Sequence, residues 1–420
     1  MADAGDAADA NRPPNFVIIF TDDQGYGDLG CFGATTFATP RLDRMAEEGI
    51  RLTGFYAQQA CGPSRCALLT GRYPKRIEHR DRLVPTEEVT IAEVLKTAGY
   101  ATCCIGKWDC SRRRYSEGVV PNDQGFDHYF GTLGANDHGR VRLWRDRKQL
   151  HQTDDMGSLT KLYTDEAIRF LEEHEDRPFF LYLAHTMPHV KLGASEAFLG
   201  KSQRGLYGDV IEEIDWNVGR VLDTLDRLGL SNNTIVWFSS DNGPWLTKGK
   251  NGGSAGPLRE GKGSAWEGGF RVPSIVWGPG HVPGGRTSDA MASTLDILPT
   301  FAAMAGAEPP PGRVLDGRDQ TALITGKTDV TARDTFFYYI EENLHAVRQG
   351  KWKLALPNRK KFRPYAKDKT PVTTPELYDL ENDVGEKHDV ADAYPEVVRD
   401  LLKLADHVRD ELGDMGPPRQ

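Results

Sequence analysis

Short runs of consecutive apolar residues alternate along the chain with longer stretches in which apolar residues recur every three or four positions. The runs predict buried strands and the longer stretches predict helices. Such alternation over roughly the first 330 residues indicates a mostly parallel sheet covered by helices. The predicted strands are 15–20, 100–105, 179–184, 234–239 and 274–277; the predicted helices are one that starts at Pro40 with Thr39 as N-cap, then 90–98, 159–174 and 207–228.

The pattern changes beyond about residue 335. Four short β-like pieces follow one another and a helical stretch near 395–411 ends the series, which predicts a small antiparallel sheet with one packed helix. We therefore expect a disordered tail (1–14), a main α/β domain (15–334) and a C-terminal α+β subdomain (335–420). The β-like pieces are 336–340, 344–347, 352–356 and 376–378.

Charge and hydropathy exclude two classes of partner. The 420 residues carry 52 Lys plus Arg and 61 Asp plus Glu, a net charge of −9, which argues against a nucleic-acid binder. The longest apolar runs, such as 16–20, are far shorter than the ~20 residues that cross a bilayer, so no membrane association is expected. The acidic start lacks the features of a secretion signal. The protein is expected to be cytoplasmic, or periplasmic or secreted if a leader was removed.

Polar clusters follow four of the predicted strands. In an open parallel sheet, ligands bind outside the carboxyl ends of the strands, so these clusters are expected to converge on one site. The clusters are Thr21-Asp22-Asp23, Gly106-Lys107-Trp108-Asp109, His185 to His189, and Ser240-Asp241-Asn242-Gly243.

Asp22, Asp23, Asp241 and Asn242 offer hard oxygen ligands that could surround one divalent cation, Ca²⁺ or Mg²⁺. The alternative is that Asp22 and Asp241 cap the helices that follow them, which is a common position for Asp. Two adjacent carboxylates repel each other unless a cation lies between them, which favours metal binding for the pair.

The segment Cys61-Gly62-Pro63-Ser64-Arg65-Cys66 has Pro near its start and an apolar turn after it. This order places Cys61 at a helix N-terminus, where exposed N–H groups favour an anion or a thiolate. An ordinary capping segment with one buried cysteine is the alternative. The six cysteines all lie in the first 110 residues, and free thiols are expected.

Cys-x-Pro-Ser-Arg followed by Leu-Thr-Gly-Arg (69–72) resembles the signature of the sulfatase family, in which this cysteine is oxidised to Cα-formylglycine. Other family motifs follow in the same order, and the resemblance covers about residues 14–390. It is strongest to the branch that includes arylsulfatase A and N-acetylgalactosamine-6-sulfatase. The matching segments are 21–30, 106–108, 188–189, 240–243, 261–273 and 377–380.

The resemblance implies an alkaline-phosphatase-like α/β fold with a smaller C-terminal subdomain. It also implies a reaction in which a hydrated formylglycine (a gem-diol) at Cys61, bound to Ca²⁺ or possibly Mg²⁺, attacks the sulfur of a sulfate monoester. Asp22, Asp23, Asp241, Asn242 and Cys61 would hold the cation. The other implied roles are positive charge for the transition state from Arg65, Lys107 and Lys262, and protonation of the leaving alcohol by His189.

The alcohol portion of the substrate is less sharply defined. His185 and His138 are candidates to contact it, with packing or solvation as the alternative reading for each. The family branch suggests a small sulfated saccharide, such as a galactose or N-acetylgalactosamine sulfate. The resemblance also implies a formylglycine-generating enzyme as a partner during maturation.

Asp109 departs from the family pattern, because most relatives carry His two residues after the first lysine. A carboxylate there could act as the base that releases sulfate, although it adds negative charge beside an anion. Alternatively, its side chain turns away and His79 or His138 replaces it. Two other functions stay open: a phosphate or phosphonate monoester hydrolase on the same scaffold, and a non-catalytic protein that binds sulfated glycans.

Overall fold

The computed structural model describes residues 12–77, 84–110, 120–357 and 365–414. Most of the predicted tail and one candidate, His79, lie outside these ranges. The described strands, in chain order, are β1 (Asn15–Thr21), β2 (Ile50–Leu52), β3 (Phe55–Tyr56), β4 (Ala101–Lys107), β5 (His128–Thr132), β6 (Val141–Arg145), β7 (Lys148–Thr153), β8 (Phe179–Ala184), β9 (Thr234–Ser240), β10 (Ser274–Trp277), β11 (Arg286–Ser288), β12 (Ala292–Ser293), β13 (Thr335–Ile340), β14 (Asn343–Gln349), β15 (Trp352–Ala355) and β16 (Glu376–Asp379).

The α-helices complete the framework, and short 3-10 turns connect several elements. None of the described helices is long and apolar enough to cross a membrane. The helices are α1 (Pro40–Glu47), α2 (Cys61–Thr70), α3 (Ile91–Thr97), α4 (Leu159–Glu173), α5 (Leu206–Arg227), α6 (Glu267–Phe270), α7 (Ile297–Ala305), α8 (Thr321–Ile324) and α9 (Pro395–Leu412).

A mixed sheet forms the centre of the larger part of the chain, with the strand order β11-β2-β10-β9-β1-β8-β4-β5-β6-β7. The neighbours β9, β1, β8, β4 and β5 run parallel, whereas β10 is antiparallel to β9. At the other end of the sheet, β6 and the edge strand β7 form an antiparallel hairpin, and β6 is antiparallel to β5. The predicted α/β fold is therefore confirmed. The hydrophobic pattern did not predict β5, β6 or β7.

Helices cover both faces of this sheet because alternate residues of each central strand point to opposite sides. Phe16, Ile18 and Phe20 of β1 belong to a core shared with α2, α3 and α7. Val17 and Ile19 belong to a second core shared with α1, α4 and α5. Burial on both faces explains why β1 is an unbroken apolar run in the sequence.

The C-terminal sheet has the order β13-β14-β15-β16, and all three of its pairings are antiparallel. Helix α9 packs on it through Leu401, Ala405 and Val408, which share a buried cluster with Val347 and Leu354 of the sheet. Four short strands and one helix are thus present where the sequence predicted them.

Helix α1 begins as predicted, with Thr39 at the N-cap position and Pro40 at the first helical position, but the Thr39 side chain makes no capping hydrogen bond. The N–H groups of Arg41 and Leu42 instead donate to Asp215 Oδ1 of α5, at 3.1 and 2.8 Å. A side chain more than 170 residues away in the sequence therefore caps this helix.

Candidate active site

The four predicted oxygen ligands lie together because their strands are neighbours. β1 and β9 are parallel, with Thr21 paired to Ser240, so the residues after each strand lie side by side. The N–H of Asp23 donates to Asp241 Oδ1 at 3.1 Å, and Asn242 Nδ2 donates to Asp23 Oδ1 at 2.7 Å. No α-helix starts directly after Asp22 or Asp241 among the described elements, so the capping alternative is wrong.

The donor set at these strand ends fits a divalent cation. Asp22, Asp23 and Asp241 are buried carboxylates, and the oxygens Asp23 Oδ2 and Asn242 Oδ1 are buried without a hydrogen-bond donor among the described residues. Buried polar atoms are normally paired, and hard oxygens are the ligands that Ca²⁺ and Mg²⁺ prefer. One ligand atom each from Asp22, Asp23, Cys61 and His189 lies within 4.8 Å of the other three.

Cys61 is the first residue of α2, as the sequence predicted, and it is buried beside the carboxylates. Its Sγ lies 3.1 Å from Asp22 Oδ1 and 3.2 Å from Lys262 Nζ. Burial, together with Asp22 and Asp241, raises the pKa of the thiol well above its usual value. The helix terminus therefore does not produce a thiolate here, and an unmodified Cys61 is a protonated, weak nucleophile.

Arg65 lies one turn after Cys61 in α2 and points to the same place. Its Nη2 donates to Asp241 Oδ2 at 2.8 Å, and its Nη1 donates to the carbonyl oxygen of Lys107 at 3.0 Å. The guanidinium is fully buried. It therefore links the end of β4 to the end of β9.

Two buried lysines contact the acidic pair directly. Lys107, the last residue of β4, donates to Asp22 Oδ2 at 2.5 Å, and Lys262 donates to Asp23 Oδ1 at 2.5 Å. Burial by itself would raise the pKa of Asp22, but Lys107, His189 and Arg65 lower it well below its usual value. Burial would lower the pKa of Lys262, and Asp23 and Cys61 raise it instead. Asp22 and Lys262 are thus both charged at neutral pH.

His189 is oriented by two acceptors. Its Nδ1 lies 2.6 Å from the carbonyl oxygen of Val190 and 3.1 Å from Asn136 Oδ1, so we assign the proton of the neutral ring to Nδ1. Its Nε2 lies 3.7 Å from Asp23 Oδ2 and 3.7 Å from Asp137 Oδ1. Burial lowers the pKa of His189, although Asp22 and Asp23 oppose that shift.

Asp109 is buried just beyond β4, at a positive φ of 50° that Asp tolerates better than most residues. Its Oδ2 lies 3.5 Å from Lys107 Nζ, within ion-pair distance. The carboxylate therefore faces the lysine that binds Asp22 and has not turned away from it. His138, one of the two histidines considered as replacements, is exposed on the loop after β5.

His185 is buried under the site. Neither of its ring nitrogens has a hydrogen-bond partner among the residues that the structure describes, and burial lowers its pKa to about 4. Its ring centroid lies 6.5 Å from that of Tyr163. His185 is therefore a neutral, packed side chain, and no hydrogen bond joins it to the carboxylates.

Sequence reasoning missed the residues that support or border His189. Asn136 and Asp137 lie in the loop after β5, more than 50 residues before it. Trp245, which follows Asn242 by three residues, places its ring 5.5 Å from the imidazole ring. Of these three residues, only Trp245 has a sequence position, just after the polar end of β9, that could have indicated that it lies near His189.

Comparison with known proteins identifies the family. Residues 14–307 match the family model described as Sulfatase, which is well over half of the chain. The chain belongs to the sulfatase family. A second model, the C-terminal region of aryl-sulfatase, matches residues 331–417.

Three relatives illustrate the extent of this similarity. Canine N-acetylgalactosamine-6-sulfatase is 39% identical over 83% of this chain and 72% of its own length. Human arylsulfatase A is 37% identical over 94% of this chain and 87% of its own length. A Bacteroides thetaiotaomicron protein from the metabolism of multiple glycosaminoglycans has a TM-score of 0.87 at 30% identity, over 95% of this chain and all of that one. The chain is a sulfatase that hydrolyses sulfate esters, with the alkaline-phosphatase-like fold that its motifs implied.

Proposed function

We propose that this sulfatase hydrolyses sulfate monoesters of a carbohydrate, such as galactose or N-acetylgalactosamine sulfate, after oxidation of Cys61 to formylglycine and with Ca²⁺, or possibly Mg²⁺, bound. The observation that carries the proposal is the position of Cys61 Sγ, 3.1 Å from Asp22 Oδ1 and 3.2 Å from Lys262 Nζ. The side chain that would be modified thus lies next to both the acidic cluster and the buried ammonium group of Lys262. The name N-acetylgalactosamine-6-sulfatase among the relatives supports a sugar substrate.

Asp22, Asp23, Asp241 and Asn242 would hold the cation together with the modified Cys61. The hydrated formylglycine would supply the attacking oxygen, and the cation would favour its ionised form. An unmodified thiol lacks this chemistry: it has no second hydroxyl group, and burial together with the nearby carboxylates raises its pKa and holds it protonated.

Arg65, Lys107 and Lys262 would stabilise the negative charge that grows on sulfate during attack. All three are buried, and their hydrogen bonds to carboxylate or carbonyl oxygens fix them before the substrate arrives. Fixed positive groups in a water-poor site stabilise a transition state without reorganisation.

His189 would exchange a proton with the oxygen of the leaving alcohol. With Nδ1 bound to the Val190 carbonyl, its Nε2 is the atom that faces Asp23 and Asp137. Asn136 holds the ring in this orientation. Asp109 would act as a base beside Lys107, in place of the histidine that most relatives carry there.

The test is to express the chain with and without a formylglycine-generating enzyme, to measure the mass of the peptide that contains Cys61, and to assay sulfate ester hydrolysis. An aldehyde that appears together with activity supports the proposal. Full activity with an unmodified thiol would refute the modification step.

Two further measurements separate the alternatives. Rates on aryl sulfate and aryl phosphate distinguish a sulfatase reaction from phosphate or phosphonate monoester hydrolysis. Binding of sulfated sugars without turnover, after conversion of Cys61 has been verified, would indicate a non-catalytic binding protein instead.

A further inference from the structure

Trp245 lies near two groups of the proposed reaction: His189, which would exchange a proton with the leaving oxygen, and Lys262, which would stabilise charge on the sulfate. Its ring centroid lies 5.5 Å from that of His189 and 5.0 Å from Lys262 Nζ. Both of those groups are buried, whereas Trp245 is half-buried. The indole therefore borders the route from the buried sulfate-binding groups to solvent.

Tyr365 adds a second aromatic ring from the C-terminal part of the chain. It is half-buried, and its ring meets that of Trp245 edge-to-face, with centroids 5.0 Å apart and an angle of 86°. It also lies 5.2 Å from Lys262 Nζ. The two nearly perpendicular rings, from different parts of the chain, thus both lie next to Lys262.

A carboxylate faces the same histidine. Asp137 Oδ1 lies 3.7 Å from His189 Nε2, and the Asp137 side chain is 34% exposed. Aromatic faces pack against the C–H faces of a sugar ring, and a carboxylate accepts hydrogen bonds from its hydroxyl groups. Apolar walls with a few placed polar groups are typical of small-molecule sites.

We propose that Trp245, Tyr365 and Asp137 form the subsite for the leaving alcohol and that this alcohol is a pyranose ring. This inference rests on the proposed function, because it uses His189 as the group at the leaving oxygen and Lys262 as a group at the sulfate. The sulfate-binding groups and the family motifs do not define which alcohol is bound. The three residues of this subsite would make that selection.

Lys248 indicates the charge of that alcohol. Its side chain is exposed, its Nζ lies 4.0 Å from the centroid of the Trp245 ring, and it forms no ion pair within the described part of the chain. The ammonium group lies over a face of the indole, so a sugar that packs on that face would displace this flexible side chain and leave its charge beside the sugar. The subsite therefore prefers a sugar, or a neighbouring sugar, that carries a negative charge besides the sulfate that is cleaved.

The test compares kcat/KM for two substrates, a sulfated pyranoside and a small alkyl sulfate too short to reach Trp245, with formylglycine content verified in every preparation. For Trp245→Ala and Tyr365→Ala we expect a loss of about 10- to 100-fold on the sugar sulfate and little change on the alkyl sulfate. Trp245→Phe should retain most of the activity. Trp216→Ala, at a 43% exposed tryptophan that packs on Phe198 and Arg220, is the matched control.

Equal losses on both substrates would overturn the subsite, because they would mean that Trp245 acts only by placing Lys262 and His189. Unchanged rates on both would overturn it as well. Failure of the wild-type enzyme to cleave either sulfate ester would instead contradict the proposed function.

A Lys248→Gln variant tests the charge preference: it should lower kcat/KM only for an acidic sulfated oligosaccharide, and an equal effect on a neutral sugar sulfate would contradict that preference.

Discussion

A carboxylate at position 109 changes the charge beside Lys107, one of the lysines that would stabilise the sulfate in the proposed reaction. Asp109 Oδ2 and Asp22 Oδ2 lie 3.5 and 2.5 Å from the same Lys107 Nζ, so two acidic groups share one ammonium group. Less of that positive charge remains for a bound sulfate. The sequence shows that Asp109 stands where most of the family has histidine. Only the structure shows that its side chain faces Lys107.

We therefore expect Asp109→His to leave kcat/KM for a sulfate ester unchanged or to raise it. His tolerates the positive φ at this position, can act as a base, and removes a negative charge near the substrate. Steady-state kinetics on preparations with equal formylglycine content measure the effect. A large loss would show that the carboxylate itself is needed, and Asp109→Asn, which keeps the shape without the base, serves as the control.

The proposed cation site should make the stability of the fold depend on calcium. Because a ligand that binds only the folded state stabilises it, added Ca²⁺ should raise the melting temperature and a chelator should lower it. Asp23→Asn should lose most of this calcium-dependent shift, since Asp23 Oδ2 is one of the buried oxygens without a donor. Asp137→Asn, at the mouth of the site, should keep it. A full shift in Asp23→Asn, measured by differential scanning calorimetry, would contradict the ligand assignment.

For individual strands, burial decided what the sequence could predict. The parallel strands β1, β8 and β9 are buried throughout, so each is an unbroken apolar run with clear ends. The edge strand β7 has the sequence Lys-Gln-Leu-His-Gln-Thr and is almost entirely exposed, so it shows no apolar run. Contacts such as that of Asn136 with His189 arise from the sheet order and leave no local signal.

Helix α1 provides a prediction about stability. Asp215 Oδ1 accepts hydrogen bonds from two N–H groups in its first turn, the role that the sequence assigned by position to Thr39. Loss of a capping acceptor costs about 0.5–2 kcal/mol, so Asp215→Ala should lower the free energy of unfolding by about that amount. Chemical denaturation measures the change. Asp215→Asn keeps an acceptor oxygen and should lose less; an equal loss in both variants would indicate that the carboxylate charge, not the cap, is what matters.

A buried ionic cluster joins the C-terminal sheet to the segment after Lys262. Lys353 of β15 lies 3.0 Å from Glu267 Oε1 of α6 and 2.7 Å from Glu386 Oε1. Tyr56 and Tyr338 donate to the two oxygens of Glu267 at 2.5 and 2.7 Å. Burial would raise the pKa of Glu267, but Lys353 and the nearby arginines lower it to about 2.

Removal of one partner from a buried ion pair leaves the other charge uncompensated, at a cost of about 3–5 kcal/mol. We expect Lys353→Met to lower the free energy of unfolding by about that amount and to lower kcat, because Glu267 follows Lys262 by only five residues. Lys351→Met is the matched control: Lys351 is 41% exposed and pairs with Asp379 at the surface, so its loss should have a much smaller effect. Similar losses in the two variants, compared by denaturant unfolding, would contradict a special role for the buried cluster.

If Cys61 is oxidised as proposed, its burial would decide whether oxidation comes before or after folding. The folded chain leaves only 6% of this residue exposed, with carboxylates and Lys262 around its sulfur. An enzyme that oxidises Cys61 would have to bind the segment before α2 packs, so maturation and folding would compete kinetically for the same newly made chain. The converted fraction should then rise when folding is slowed, for instance at a lower expression temperature, as mass spectrometry of the Cys61 peptide can measure. Molecules that fold before Cys61 is converted would therefore be correctly folded but inactive.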